Sequence, residues 1–403
     1  MQDLGSNSRL GVREQIARGA TESGQATWLA SDLEYFRARN GTLFAGLFGS
    51  DPLVLALDPI SDGTSASLDA ALADLVREFP LARRIAFVGA SSAFVEAMPA
   101  RFAAQAIQIG HEPWVDLDAH EAKGNRARGV RSARNQALRA GIRVERVDGR
   151  ALAHPGSESR EKTDRLLGAW RNQGLLEIGG FLQRVDPFHD AANRFYFVAC
   201  APDGKWVGML AAVRIGATRS VFLEDLILDP RAEGGVGELL TLEAFRFFAE
   251  EGYSEASLGT VSLTQVAPHA VRPPSPRVYR GLSCFLRTLR RLYNADGIEL
   301  FRKRFAVRAW RPIYFGVART DGRRPGAGDW LRALFAILAA HRPRLVLTPQ
   351  RIGRRPVPVA VCAGLAIAFF FTHLPKHAHA AHHLPPFFAK FDGHRGEGDN
   401  RSR

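Results

Sequence analysis

Short apolar runs alternate along this chain with longer stretches whose apolar positions recur at helical spacing. Residues 1–24 are polar and predict a loose arm. Leu43–Phe48 and Leu53–Leu57 predict strands, Ser67–Phe79 a helix, Ile85–Val88 a strand and Ala93–Ala104 a helix. Two more strands are expected at Ile107–Ile109 and Trp114–Leu117. A basic segment, 123–141, predicts a helix closing at Gly141, since glycine is favoured just past a helix end. Strand Arg143–Val147 and helix Ser159–Asn172 follow, then Phe195–Ala199 and Trp206–Val213 joined by the hairpin signal Asp203-Gly204. Val221–Leu228 predicts a strand, the residues after Gly237 a helix, and Glu255–Leu258 a strand. The two halves repeat one order of elements, so an α+β architecture with mixed sheets flanked by helices is expected, built by duplication.

A change of character along the chain sets off further segments, and two domains, 25–118 and 119–320, are expected from the family resemblance described below. Residues 321–355 are a Gly/Pro/Arg-rich linker with an amphipathic helix at Trp330–His341. Residues 356–374 are an uncharged run at the short end of what spans a bilayer, preceded by Arg351, Arg354 and Arg355. Membrane association of that run, spanning or interfacial, is expected, with the body on the cytoplasmic side. A His-rich polar tail, 375–403, ends the sequence, and no catalytic metal is expected there.

Charge narrows the partners. The formal net charge is +13, which suits an anionic partner such as nucleic acid, a phosphorylated cofactor or acidic lipid. The three cysteines have no metal-ligand or redox spacing and fit a reducing compartment; no secretory signal is expected at the N-terminus.

The chemistry concentrates between 221 and 240. Glu224 and Asp225 interrupt an apolar strand, where unpaired carboxylates are costly. Strict alternation would point only one of them into a given cleft, where it could orient or deprotonate a nucleophile. Arg231, Gly234, Gly235 and Gly237 then approximate a pyrophosphate loop at a helix start, which would hold CoA; a tight turn that binds nothing is the alternative. A second string, Gly297–Phe305 followed by Trp310, Arg311 and Tyr314, interleaves basic and aromatic residues. It places Phe301 and Phe305 in the core and Lys303 and Arg304 near a cleft. Gly89-Ala-Ser91 mimics a nucleophile elbow but reads as a strand–turn–helix with a serine cap.

Taken in order, these segments resemble the C-terminal catalytic domain of lysylphosphatidylglycerol synthases, also called multiple peptide resistance factors, and the related DUF2156 proteins. The likeness rests on Arg131 and Asn135 in the basic helix, the hairpin Phe195–Val213 and Glu224-Asp225-Leu226 with Asp229-Pro230. Leu258-Gly259 with Leu263, Gly297–Phe305 and Trp310-x-Pro312-x-Tyr314 complete it. Leu228 stands where the family often has arginine, and Arg302 and Arg304 replace lysines of its Phe-Lys-x-Lys-Phe motif. The resemblance implies tandem GNAT-like domains (the acyl-CoA N-acyltransferase type). It also implies transfer of an amino acid from aminoacyl-tRNA to phosphatidylglycerol at the cytoplasmic face of the inner membrane, with no cofactor. Asp225, with Glu224, would then act on the lipid hydroxyl, while Arg131, Lys303 and Arg311 would hold phosphates. A CoA-dependent N-acyltransferase and a non-catalytic membrane-surface protein remain the alternatives.

Overall fold

The computed structural model describes residues 6–30, 32–61, 64–118, 127–171, 176–177, 181–182, 185–263, 271–292, 295–341 and 344–345. The run 356–374 and the His-rich tail lie outside them. Among the described residues no helix is long and apolar enough to cross a membrane.

The first half runs α1 (Ser6–Gly19), a 3₁₀ segment (Ser23–Ala30), β1 (Glu34–Arg37), β2 (Leu43–Leu47) and β3 (Leu53–Ala56). It continues with α2 (Ser65–Glu78), β4 (Arg84–Ala90), α3 (Ser92–Ala97) and β5 (Gln105–Asp116). Next come α4 (Arg128–Arg139), β6 (Arg143–Val147), α5 (Gly149–Ala153), α6 (Glu158–Arg171) and β7 (Leu176–Glu177). β8 (Arg194–Cys200), β9 (Trp206–Arg214), β10 (Ser220–Leu228), α7 (Val236–Glu250), β11 (Glu255–Ser257) and β12 (Val261–Ser262) follow. The last elements are α8 (Pro276–Leu292), α9 (Ala295–Lys303), β13 (Ala309–Arg319), α10 (Ala327–His341) and β14 (Arg344–Leu345), which pairs with β7.

All other strands join one mixed sheet in the order β1-β2-β3-β4-β13-β5-β11-β10-β9-β8-β6, with β12 also on β5. The boundary expected near 118 therefore does not divide the sheet. β13 returns from the second half and inserts antiparallel between β4 and β5. β5 is long enough to pair with β13 along most of its length and with β11 at its end. The strands expected separately at 107–109 and 114–117 are this one strand.

Helices cover both faces. On one, α2 and α3 pack around Leu72 and Phe87, while α4 and α7 pack around Leu223 and Phe248 with Phe305. On the other, α1 covers Leu43 and Ile60, α8 and α10 cover Val54 and Phe315, and α5 and α6 cover Tyr196 and Ile227.

Two local departures from the sequence reading have simple causes. The polar N-terminal residues form α1 because Val12 and Ile16, one helical turn apart, are buried beside Trp28; a stripe that narrow hardly alters composition. The helix expected over 93–104 stops at Ala97, because Met98 precedes Pro99 and is driven to ψ 125°.

Candidate functional site

β10 pairs in parallel with β11 only over Ser220–Phe222, yet runs on to Leu228 against β9 alone. Beyond Ser257 the chain turns toward β5, where the Leu258 N–H donates to the Pro113 carbonyl at 3.0 Å and β12 pairs with β5. The two parallel strands therefore part just after Phe222. The β9–β10 register slips between Leu223 and Asp225, which makes Glu224 the extra residue of a bulge. The expectation that only one carboxylate could serve a given cleft is corrected here. The bulge interrupts the alternation, and both acids come under the influence of Arg194.

Arg194 lies opposite Val213 and Tyr196 opposite Ala211, the partner of Asp225, so these residues share a face of the sheet. Arg194 Nη2 donates to Glu224 Oε1 at 3.0 Å, with the two side chains only 2% and 7% exposed. Its Nη1 donates to the Asp186 carbonyl at 2.9 Å, and Tyr196 Oη donates to the Pro187 carbonyl at 2.6 Å. The loop 185–190 is thus fastened over the pair. Glu224 Oε2 and Asp225 Oδ2 are both buried without a hydrogen-bond partner among the described residues.

Burial pushes both carboxyls upward in pKa; Asp225 adds to the rise at Glu224, and Asp186 adds to both, against the pull of Arg194. One guanidinium faces two acids, so the pair tends to keep a proton that isolated carboxyls would lose. Burial likewise raises Tyr196, which stays a neutral donor.

A second polar group lies on the same face two strands away. Glu112 on β5 is buried, and its Oε1 accepts from Ser257 Oγ at 2.5 Å and from Ser23 Oγ. Asp58 accepts from the Ser91 N–H at 2.8 Å and from Ser91 Oγ at 2.5 Å. Ser91 Oγ also caps α3 by accepting from the Phe94 N–H, so it serves as the expected cap and not as a nucleophile. Glu22 is raised to about 8 by burial and by the charges of Asp58 and Glu112, with Arg311 opposing. By strand spacing the two groups stand on the order of 10 Å apart.

The remaining predicted residues scatter. Arg311 lies opposite Glu112, stacks 3.7 Å over Trp114 and donates to Glu255 Oε2 at 3.3 Å. Trp310 points to the other face, edge-on to His111 at 6.2 Å. Arg131 and Asn135 ride on α4, which packs against α7 on that same far face, with Asn135 accepting from Arg134. Lys303 is tied to Glu299, and Arg304 to Glu238 at 2.5 Å. Tyr314 is buried in the first half's core, and Arg231 is an exposed neighbour of Asp229.

The glycine turn needs a correction as well. Gly235 caps α7 at φ +93°, and a Cβ there would lie 1.9 Å from the Ala133 carbonyl oxygen of α4. A Cβ at Gly237 would meet Leu228 and Phe301 at 3.3 Å. At Gly234 it would meet the Gln136 amide at 3.2 Å. These glycines admit neighbouring protein where a CoA loop would admit pyrophosphate.

Sequence reasoning missed Arg194, Asp186 and Glu112, which carry no local motif. It also missed a role for Arg302, whose Nη1 donates to the Gly259 carbonyl at 2.6 Å where the strands part. The pairing of an arginine at the start of one strand with acids two strands later is the signal that was available.

A paired-carboxylate site where two parallel strands separate in a large mixed sheet fits a group-transfer enzyme, and comparison with known proteins agrees. Residues 13–316 match the family model described as phosphatidylglycerol lysyltransferase, C-terminal. The chain belongs to that family, and is by membership an aminoacyltransferase. Among solved structures, one similar fold is the C-terminal DUF2156 domain assigned to a lysylphosphatidylglycerol synthetase of Agrobacterium fabrum. Its TM-score is 0.65 at 18% identity, covering 83% of this chain and 97% of that one. L-PGS from Bacillus licheniformis gives 0.63 at 15% identity, covering 85% and 98%. A conserved protein of unknown function from Bacteroides thetaiotaomicron gives 0.53 at 11%, covering 78% and 97%. At these identities the likeness shows the fold. No curated protein matches the chain.

Proposed function

We propose that this protein moves an amino acid from aminoacyl-tRNA to a hydroxyl of a phosphatidylglycerol-type headgroup, working at the cytoplasmic face of the inner membrane. The observation that carries the reading is the Glu224–Asp225 pair, buried at the parting of β10 and β11 beside one arginine, with one oxygen of each acid lacking a hydrogen-bond partner among the described residues. In the reaction the lipid hydroxyl oxygen attacks the ester carbonyl of the donor. The C–O bond to the tRNA ribose breaks, and the proton leaves the lipid oxygen for the ribose oxygen. The carboxylate pair accepts that proton and returns it, with Asp225 nearest the role of general base and Glu224 held by Arg194. The reading keeps residues 25–118 and 119–320 as two GNAT-like halves that share a sheet.

The site residues are accordingly revised. Arg131 and Asn135 ride on α4, on the far face from the acids, and Lys303 and Arg304 are engaged by Glu299 and Glu238, so direct phosphate contact in the cleft falls to Arg311 or Arg302. CoA as donor is the weaker reading, because the need for glycine at 235 is accounted for by its close approach to the Ala133 carbonyl of α4. The test is lipid mass spectrometry of cells expressing the chain, together with transfer into lipid extracts with and without RNase. An aminoacylated glycerophospholipid whose formation is abolished by RNase is expected. An unchanged lipid profile with confirmed expression overturns the proposal.

A further inference from the structure

We infer that the outer face of α8 is the docking surface for the phosphate backbone of the tRNA donor; this rests on the aminoacyl-tRNA reading above. α8 contains no acidic residue, and its sequence separates cleanly into two sides. Val278, Leu282, Phe285 and Leu286 are buried against β13 and α10, while Arg277, Arg280 and Arg287 are exposed. Their positions, i, i+3 and i+10, fall on one helical stripe and extend about 15 Å along the axis.

None of the three forms an ion pair among the described residues. Arg280 Nε and Arg287 Nε donate only to the carbonyls of Pro276 and Ser283, at 3.4 and 3.2 Å, one turn back on their own helix. Other exposed arginines, such as Arg128 and Arg139 on α4, also lack an ion pair among the described residues, but α4 packs on the face of the sheet away from the acids. The ridge on α8, a helix without an acidic residue, is complementary to a row of anions.

Two features favour nucleic acid over a membrane. An interfacial helix needs apolar side chains beside its cations to enter the lipid, and the apolar side of α8 is spent inside the core. The cations are also all arginine, whose planar fork grips phosphate oxygens two at a time. The ridge sits well for delivery. α8 covers the same sheet face that carries Arg311 and the carboxylate pair, and it packs on α9, whose Arg302 closes the parting of the strands. A duplex held on α8 could send its single-stranded acceptor end across to the acids.

The test measures binding of total bacterial tRNA, and of phosphatidylglycerol vesicles, to the full chain and to the triple variant R277A/R280A/R287A across a salt series. All three positions are exposed, so an unchanged melting temperature is expected to confirm the fold; the single variant R280A is the fallback. We expect tRNA affinity to fall at least tenfold, the slope of log affinity against log salt to shrink by about 2–3, and vesicle binding to persist. If the triple variant binds tRNA like the parent, the ridge is only a solvated face and the inference is wrong. If vesicle binding falls in place of tRNA binding, the ridge is a lipid surface and the inference is again wrong. A parent chain that binds no tRNA at all overturns both this inference and the donor reading.

Discussion

At the scale of single residues, the chemistry turns on how few positive charges face the buried acids. Asp225 and Glu224 share Arg194, so the pair is deprotonated only as pH rises past the ordinary carboxylate range. If the pair accepts the lipid proton, kcat/KM should climb with pH along an acid limb displaced well above pH 4. D225N should lower kcat by about a hundredfold or more and flatten that limb. A pH profile unchanged by D225N would remove Asp225 from proton transfer. Arg194 is a different case, since its loss strands buried charge. R194M should destabilise the fold by about 3–5 kcal/mol, read from denaturant unfolding, with R194K recovering part of it.

Glu22 offers a cleaner pH experiment because no catalytic role is assigned to it. Its pKa stands at about 8 against an ordinary 4.5, so the folded state holds a proton that the unfolded chain releases between those values. Below about pH 4.5 both states are protonated and burial of Glu22 costs nothing extra. From there the penalty grows with pH and levels off above about 8. E22Q should therefore leave the melting temperature unchanged at pH 4 and raise it at pH 8.5, by an amount equivalent to roughly 1–3 kcal/mol. A shift of equal size at both pH values would show that charge is not the cause.

Elements were more legible in the sequence than the contacts between them. Strands β2, β3, β8, β9 and β10 and helices α2, α6 and α7 follow from apolar spacing, because each buries one continuous stripe or run. The bulge at Glu224 was hidden, since it depends on the register against β9, and register is a property of two strands. α8 escaped notice for another reason: its arginines, frequent throughout the chain, dilute the apolar stripe that seats it. The glycine turn stayed ambiguous because glycine admits a phosphate and a neighbouring backbone equally well. Two substitutions separate those uses. G235A forces a Cβ into the Ala133 carbonyl at a left-handed φ, and should destabilise by about 2–4 kcal/mol whatever ligand is added. G234A meets only the movable end of Gln136, and should change the melting temperature little. Comparable melting for both variants would mean that α4 does not press on this turn.

For the whole molecule, the decisive feature is the return of β13 into the first half. Pairing β13 between β4 and β5 makes each half incomplete: the first lacks a central strand, and the second ends in one whose partners lie elsewhere. The repeated order of elements expected from the sequence suggests two bodies that could be separated near residue 118. The sheet argues the opposite. Phe315 and Val317 on β13 are buried against first-half strands and α8, and Tyr314 belongs to the core around Phe87. Exposing them would leave two unpaired strand edges as well as apolar surface, a combination that favours aggregation. The intact chain should accordingly unfold in one cooperative transition by calorimetry and by circular dichroism. Residues 1–118 and 119–345 expressed apart should be insoluble or bind a hydrophobic dye strongly, and should recover a cooperative melt only when produced together. A soluble fragment 119–345 with a sharp melt of its own would show that β13 finds other partners, and that the two halves are joined in sequence more than in energy.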